Sequence, residues 1–203
     1  MRKKILGTDL KVSAIGLGCM GMNHAYGASV DKTEMINLIA QAVDIVCPVT
    51  AIQNRYSMMA RWHEKLFPVL EELNIGFVAF SPLANGFLSG KYNAQSVFEK
   101  NTDYRSIMPQ FQKDSYEKNQ EFLAWIQAFA EEKNATVAQI SLAWLVDKKP
   151  YLVPIPGTRK LERLKENAGA SDILLTPEEV KKTDDMLERI PMSEVFGGTK
   201  VTK

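Results

Sequence analysis

The chain has 203 residues, with 25 Lys and Arg against 24 Asp and Glu, for a formal net charge of +1. Hydrophobic residues make up 45% and charged residues 24%, ordinary values for a globular protein, and the length suits one domain or at most two small ones. They exclude a disordered, collagen-like or coiled-coil chain, and they argue against broad binding to nucleic acid or an anionic membrane, which needs Lys and Arg concentrated on one face.

Residues 2–14 predict a hairpin, with Gly7-Thr8-Asp9 as its turn. Ala14–Gly18 reads as a short buried strand, and residues 19–30 as a loop. A helix starts at Asp31, with Glu34 three residues on as in a capping box. Met35, Leu38, Ile39, Ala42 and Val43 recur at helical spacing, which predicts one buried face. Val49–Gln53 is a strand and Glu64–Leu73 a helix. Ile75–Phe80 is a nearly continuous apolar run, the pattern of a strand covered on both faces. The long polar segment over residues 84–114 reads as a functional loop or lid. Tyr116–Glu132 is one helix, and Thr136 with Gln139 caps another. Tyr151–Ile155 is a strand with Pro154 at its exit. Thr158 caps a helix ending near Gly169. Thr176-Pro177-Glu178-Glu179 starts the last helix, and the tail after Pro191 reads as loose. The β–α alternation implies a parallel sheet with its ligand end at the strand C-termini.

Two cysteines, Cys19 and Cys47, make no disulfide framework. Two histidines, His24 and His63, lack metal-ligand spacing, so no metal site is expected. Asp9 and Lys11 break the apolar stretch a signal peptide needs, and no long apolar run spans a bilayer. A cytoplasmic protein is expected.

Gly16-Leu17-Gly18-Cys19-Met20-Gly21 matches G-x-G-x-x-G, but about ten loop residues separate it from the next helix. A dinucleotide fingerprint needs that helix at once, so a tight turn at a strand end is the simpler reading. Pro156-Gly157-Thr158-Arg159 is the better anion site. It joins a strand to a helix N-terminus, where backbone N–H groups and the helix dipole attract phosphate. Arg159 and Arg163 add forked, charge-assisted donors. Glu166 and Asn167 follow within hydrogen-bonding reach of a base. A capped surface helix with solvated charges is the competing account. Phe80 and Gln53 sit at strand ends, where a ring can stack on a flat ligand and an amide can bind a carboxamide; core packing is the simpler account of Phe80, and ordinary strand-end bonding is the competing account of Gln53. Tyr26 beside His24 suggests acid–base chemistry, with no Lys or Asp placed to tune it.

Together these segments resemble the aldo-keto reductase family. Val12–Met22 is similar to its opening, and Ala51–Ser57 and Ala79–Leu83 to its sixth and seventh strand ends. Gly86–Tyr92 is similar to the loop that follows, and Val153–Asn167 to its cofactor segment. The resemblance implies a partial (β/α)8 TIM barrel of about four parallel βα units, equivalent to strands 1, 6, 7 and 8, with an N-terminal β-hairpin. It implies NADP(H) as cofactor and a small carbonyl compound as substrate. Gln53 would meet the nicotinamide amide. Phe80 would stack on the ring, where many members have Tyr. Gly18 and Cys19 would line the nicotinamide end, and Ser81 and Leu83 the pyrophosphate. Gly157, Thr158, Arg159 and Arg163 would hold the 2′-phosphate, and Glu166 and Asn167 the adenine.

The likeness jumps between Ile45 and Val46. Four βα units of roughly 30 residues each, about 120 in all, are absent there. The family's Asp, Tyr, Lys and His belong to that stretch, so no catalytic residue is assigned. Tyr26-Gly27 imitates the family's Y-G, but it precedes the first helix. The expectation is one shortened domain over residues 1–203. Its NADPH-dependent reduction of aldehydes and ketones is lost or very low. The alternatives are a non-catalytic NADP(H)-binding or scaffolding module, or a broken gene product without a role. Four strands have two open edges, so a two-fold homodimer restoring the ring, or a poorly folded product, is expected.

Overall fold

The structure is a computed structural model that describes residues 2–6, 10–14, 31–45 and 49–196. Its contacts divide the chain into two compact units, Met1–Thr50 and Ala51–Lys203.

In the first unit, β1 (Lys3–Leu6) pairs antiparallel with β2 (Leu10–Ser13), as the turn chemistry predicts. Ala14 N–H closes the hairpin on the Arg2 carbonyl at 3.0 Å. α1 spans Lys32–Ile45. Asp31 Oδ1 accepts the N–H groups of Thr33 at 2.8 Å and Glu34 at 3.1 Å, satisfying two donors that a helix start leaves unpaired. The predicted burial of its stripe is not met: Leu38 is 43% and Ile39 38% exposed. The rest of this unit's described structure is one two-stranded hairpin, too little to cover the stripe. Ile15 to Gly18, Cys19, the loop of His24 and Tyr26, and the 46–48 junction lie outside the described residues.

In the second unit, β3 (Ala51–Arg55), β4 (Gly76–Phe80) and β5 (Leu152–Pro154) form a parallel sheet in that order. Three parallel strands are thus described where four βα units are expected; the fourth falls on residues 15–18. Ile52, Phe77 and Leu152 are in register, as are Gln53, Val78 and Val153. β4 is not covered on both faces. Phe77 and Ala79 are buried, while Gly76, Val78 and Phe80 stay half-exposed, and Val153 beside them is 56% exposed. Helices pack one face of this unit's sheet, so burial follows the period of two that a strand imposes.

That packed face is aromatic. Tyr56 stacks on Trp144 at 5.6 Å and meets Phe67 and Phe77 edge-on. Trp144 lies on α5 (Val137–Lys148), which is buried almost all round and is the unit's central helix. Its predicted capping box forms, with Thr136 Oγ1 accepting from Gln139 N–H and Gln139 Oε1 from Thr136 N–H. A polar cluster edges this core. Tyr56 OH donates to Glu64 at 2.6 Å, Trp144 Nε1 to Asp184 at 3.0 Å, and Lys148 lies 2.7 Å from Asp184 and 3.3 Å from Glu64. Burial, then the Glu64 carboxylate, pushes the Tyr56 phenol well up. The helix predicted over 64–73 is a 3-10 turn at Glu64–Leu66 followed by α2 (Phe67–Glu72).

The single helix predicted over Tyr116–Glu132 is two, α3 (Lys113–Lys118) and α4 (Gln120–Glu132). They break at buried Asn119, whose amide is engaged across 74 residues. Its Nδ2 donates to Ser193 Oγ at 2.8 Å, and its Oδ1 accepts from Ser193 N–H at 3.0 Å. The tail is accordingly fixed as far as Phe196, whose N–H donates to Gln110 Oε1 at 2.9 Å. α6 spans Leu161–Gly169, beginning later than predicted, and α7 spans Pro177–Arg189 with Thr176 and Glu179 as its capping box. Among the described residues, no helix is long and apolar enough to cross a membrane.

Candidate functional site

The turn leaving β4 is the floor of a cleft of about 510 Å³ at the carboxyl end of the sheet. Ser81 (φ 51°), Ala84 (φ 48°), Asn85 (φ 61°) and Gly86 (φ 97°) all take the left-handed region here. Three of these are not glycine, and such backbone is uncommon for them. It persists where the surroundings fix it, and it clusters at ligand sites. Nothing in Phe80-Ser81-Pro82-Leu83 announces this geometry.

One wall is the corner between β5 and α6. Ile155 N–H still bonds to the Ala79 carbonyl at 3.0 Å, and the chain then leaves the sheet through Pro156 and Gly157. Thr158 does not cap the helix. Its Oγ1 accepts from Lys160 N–H at 3.1 Å, Lys160 takes the N-cap position, and no side chain caps α6. The start is displaced because Lys160 is extended (φ −120°, ψ 130°). Arg159, Lys160, Arg163, Glu166 and Asn167 line this wall. Arg163 pairs with Glu166 one turn on. Arg159 has no ion-pair partner among the described residues.

The opposite wall is the segment predicted as a long polar loop. It is packed instead. Turns of 3-10 helix at Ala84–Ser89, Tyr104–Ile107 and Pro109–Phe111 enclose Phe87, Tyr92, Phe98 and Phe111. Their rings contact at 5.0 to 5.7 Å. Arg105 lies over Tyr92 at 4.9 Å and Phe98 at 4.7 Å, bonds the Tyr92 hydroxyl, and forks onto Asp103. The Arg105 hydrogen bonds hold the Asp103 carboxyl below its ordinary value, and the Arg159 charge adds to this. Lys91 and Arg105 line the cleft too. Sequence reading missed both; the available signal was an Arg two residues after Asp103 in an aromatic segment.

Eight of the residues expected at a cofactor share this cleft: Ser81, Leu83, Gly157, Thr158, Arg159, Arg163, Glu166 and Asn167. Gln53 and Phe80 are not among its lining residues. Both lie on the half-open sheet face, where Gln53 is exposed and Phe80 carries the Arg55 guanidinium at 4.9 Å. Gly18 and Cys19 lie outside the described residues.

The lining fits a polyanionic nucleotide. Among the described residues it holds five cations (Lys91, Arg105, Arg159, Lys160 and Arg163) against one carboxylate, that of Glu166. A Cβ built on Gly157 meets nothing within 4 Å, so the chain's own packing does not demand glycine there. The space it leaves is at the cleft, where a ligand can approach the backbone. Among the described residues, no group of three or more His, Cys, Asp and Glu could hold a metal ion.

The model of the aldo/keto reductase family matches residues 21–188. The chain is 37% identical over 156 residues to aldo-keto reductase str7 of Strobilurus tenacellus, covering 75% of this chain and 45% of that protein. It is 35% identical over 152 residues to a probable aldo-keto reductase 1 of Glycine max, covering 74% and 42% respectively. It therefore spans somewhat less than half the length of these relatives. Among solved structures, the glycerol dehydrogenase of Gluconobacter oxydans superposes with a TM-score of 0.68 at 28% identity, over 85% of this chain and 51% of that one. An aldo-keto reductase of Klebsiella pneumoniae, solved in complex with NADPH, shares the fold with a TM-score of 0.53 at 24% identity, over 78% of this chain and 46% of that one.

Proposed function

The chain belongs to the aldo/keto reductase family, and from that premise we propose that it binds NADP(H) in the cleft between the β5–α6 corner and the aromatic segment. The observation that carries this is the cationic lining around an unfilled space at Gly157. Arg159, Thr158 and Arg163 hold the 2′-phosphate, and Glu166 and Asn167 face the adenine. Ser81, Leu83 and the cations Lys91 and Arg105 border the pyrophosphate. The nicotinamide then points toward Phe80 and Gln53. When bound, the cofactor supplies a hydride for reducing an aldehyde or ketone.

The reading includes a partial (β/α)8 barrel that lacks the segment bearing the family's proton donor. Losing an acid from an acid–base step costs about 10²–10⁴ in rate, so the chain binds cofactor and turns over little. A second copy supplying strands to the half-open sheet is the way to complete the ring; the exposure of Val153 and Gln53 favours it.

Isothermal titration with NADPH and NADH, beside an assay with aromatic aldehydes, tests this. Tighter binding of NADPH than NADH, with no brisk consumption, is expected. No binding of NADPH overturns the site, and brisk consumption overturns the loss of activity. The mass in solution tests the dimer.

A further inference from the structure

The Arg55 guanidinium touches three other stretches of chain, at Phe80, Asn85 and Phe196. Arg55 at the end of β3 lays its guanidinium over Phe80 at 4.9 Å and lies 5.8 Å from the Phe196 ring. Its Nη1–H donates to Asn85 Oδ1 at 3.1 Å. Gln110, fully buried in the aromatic segment, donates from Nε2 to the Ala84 carbonyl at 3.2 Å and to Asn85 Oδ1 at 3.5 Å. Its Oε1 accepts from Phe196 N–H at 2.9 Å. The circuit from Arg55 through Asn85, Gln110 and Phe196 back to Arg55 is closed.

We propose that Arg55 is a positioning residue that sets the plane of the Phe80 ring and couples the segment ending at Phe196 to the nicotinamide end of the cleft. The proposal rests on the NADP(H) reading above.

The chemistry of Arg55 supports this role. Among the described residues no carboxylate pairs with it, although burial disfavours its charge. A half-buried cation is costly, and among the described residues what holds it is the Phe80 face and the Asn85 side-chain carbonyl rather than an ion pair. A guanidinium is planar and stacks on aromatic faces, which an ammonium does not do. Phe80 carries no hydroxyl with which to anchor itself, and its ring is half-exposed. Arg55 supplies the missing hold from one side, and the tethered Phe196 flanks Arg55.

The test separates the two ends of the cofactor. NADPH carries the nicotinamide, whereas adenosine 2′,5′-bisphosphate carries the 2′-phosphate and adenine without it. Both are titrated calorimetrically into the full chain and into Arg55→Met, Arg55→Lys and Phe196→Leu. Arg55→Met and Phe196→Leu are expected to weaken NADPH by roughly three- to tenfold. They should leave the bisphosphate affinity within a factor of about two, inside the usual error of independent sites. Arg55→Lys keeps the charge and loses the plane, so it should resemble Arg55→Met. Full recovery by Lys, an unchanged NADPH affinity, or equal losses for both ligands overturns the proposal. If Arg55→Met fails to fold, Phe196→Leu carries the same contrast from the other end of the circuit. A wild-type chain that binds neither probe overturns the NADP(H) reading, and the proposal with it.

Discussion

The two walls of the cleft are built in opposite ways. The β5–α6 wall is local: its residues run from Ile155 to Asn167, none of the α6 side chains is fully buried, and Arg159 and Lys160 stand in solvent beside the half-buried Arg163–Glu166 pair. The aromatic wall is non-local. Phe87, Phe98 and Phe111 pack together, Arg105 is clasped between rings, and Gln110 reaches Phe196 across 86 residues. One wall offers recognition without contributing a core, and the other holds its shape without a ligand. Substitutions should therefore separate cleanly, with stability lost on one side and affinity on the other.

The largest effect is expected from Phe111→Ala. It removes a ring that contacts Phe87, Tyr92 and Phe98, and should cost about 3–5 kcal/mol in a urea melt. A loss under 1 kcal/mol, the scale of a surface site, would break the contrast. Next is Arg159→Ala on the other wall. Removing a charged donor that forms no ion pair among the described residues should weaken NADPH by roughly tenfold to a hundredfold. NADH, which lacks the 2′-phosphate, should be untouched, and the melting point should stay put. A drop in both affinities would mean that the wall is structural after all. Gly157→Ala should come third. Its new methyl meets no atom of the chain, so stability should hold to within about 0.5 kcal/mol, while NADPH binding weakens because the methyl enters the ligand's space.

The smallest effect is in the acid range. The folded Asp103 carboxyl titrates below its unfolded value of about 3.9. Its contribution to stability is therefore complete above that pH and lost as the pH falls through the folded value. Asp103 is half-buried at the surface of its wall, where solvent still screens the pair, so the effect is small. Asp103→Asn should flatten this part of the acid unfolding curve and leave the neutral range almost unchanged. A variant with the same acid slope as wild type would show that the Arg105 pair does not set it.

These walls also mark how far sequence reading reaches. The β5–α6 wall was legible because its signal is local: strand, Pro-Gly, two arginines, helix. The capping boxes at Thr136 and Thr176 were legible for the same reason, since a cap involves only a few neighbouring residues. The exact start of α6 was not, because Thr158 closes its own turn onto Lys160. The aromatic wall looked like polar loop because its packing residues are spaced irregularly and meet through the fold. The break at Asn119 depends on Ser193, and no periodicity within 116–132 foretells it. β4 misled by composition. An apolar run fits a strand buried on both faces, and a sheet of three described strands packs one.

Trp144 gives the molecule a built-in optical gauge. Its indole is wholly buried against Tyr56, its Nε1–H is fixed on Asp184, and the Lys148 ammonium lies 5.1 Å from its ring centre. It does not line the cleft, so its emission should follow the integrity of the helix-covered core and shift to longer wavelength only as water reaches it. The half-buried Trp62 and Trp125 start closer to solvent and should change less, which leaves one dominant chromophore to report when the interior opens.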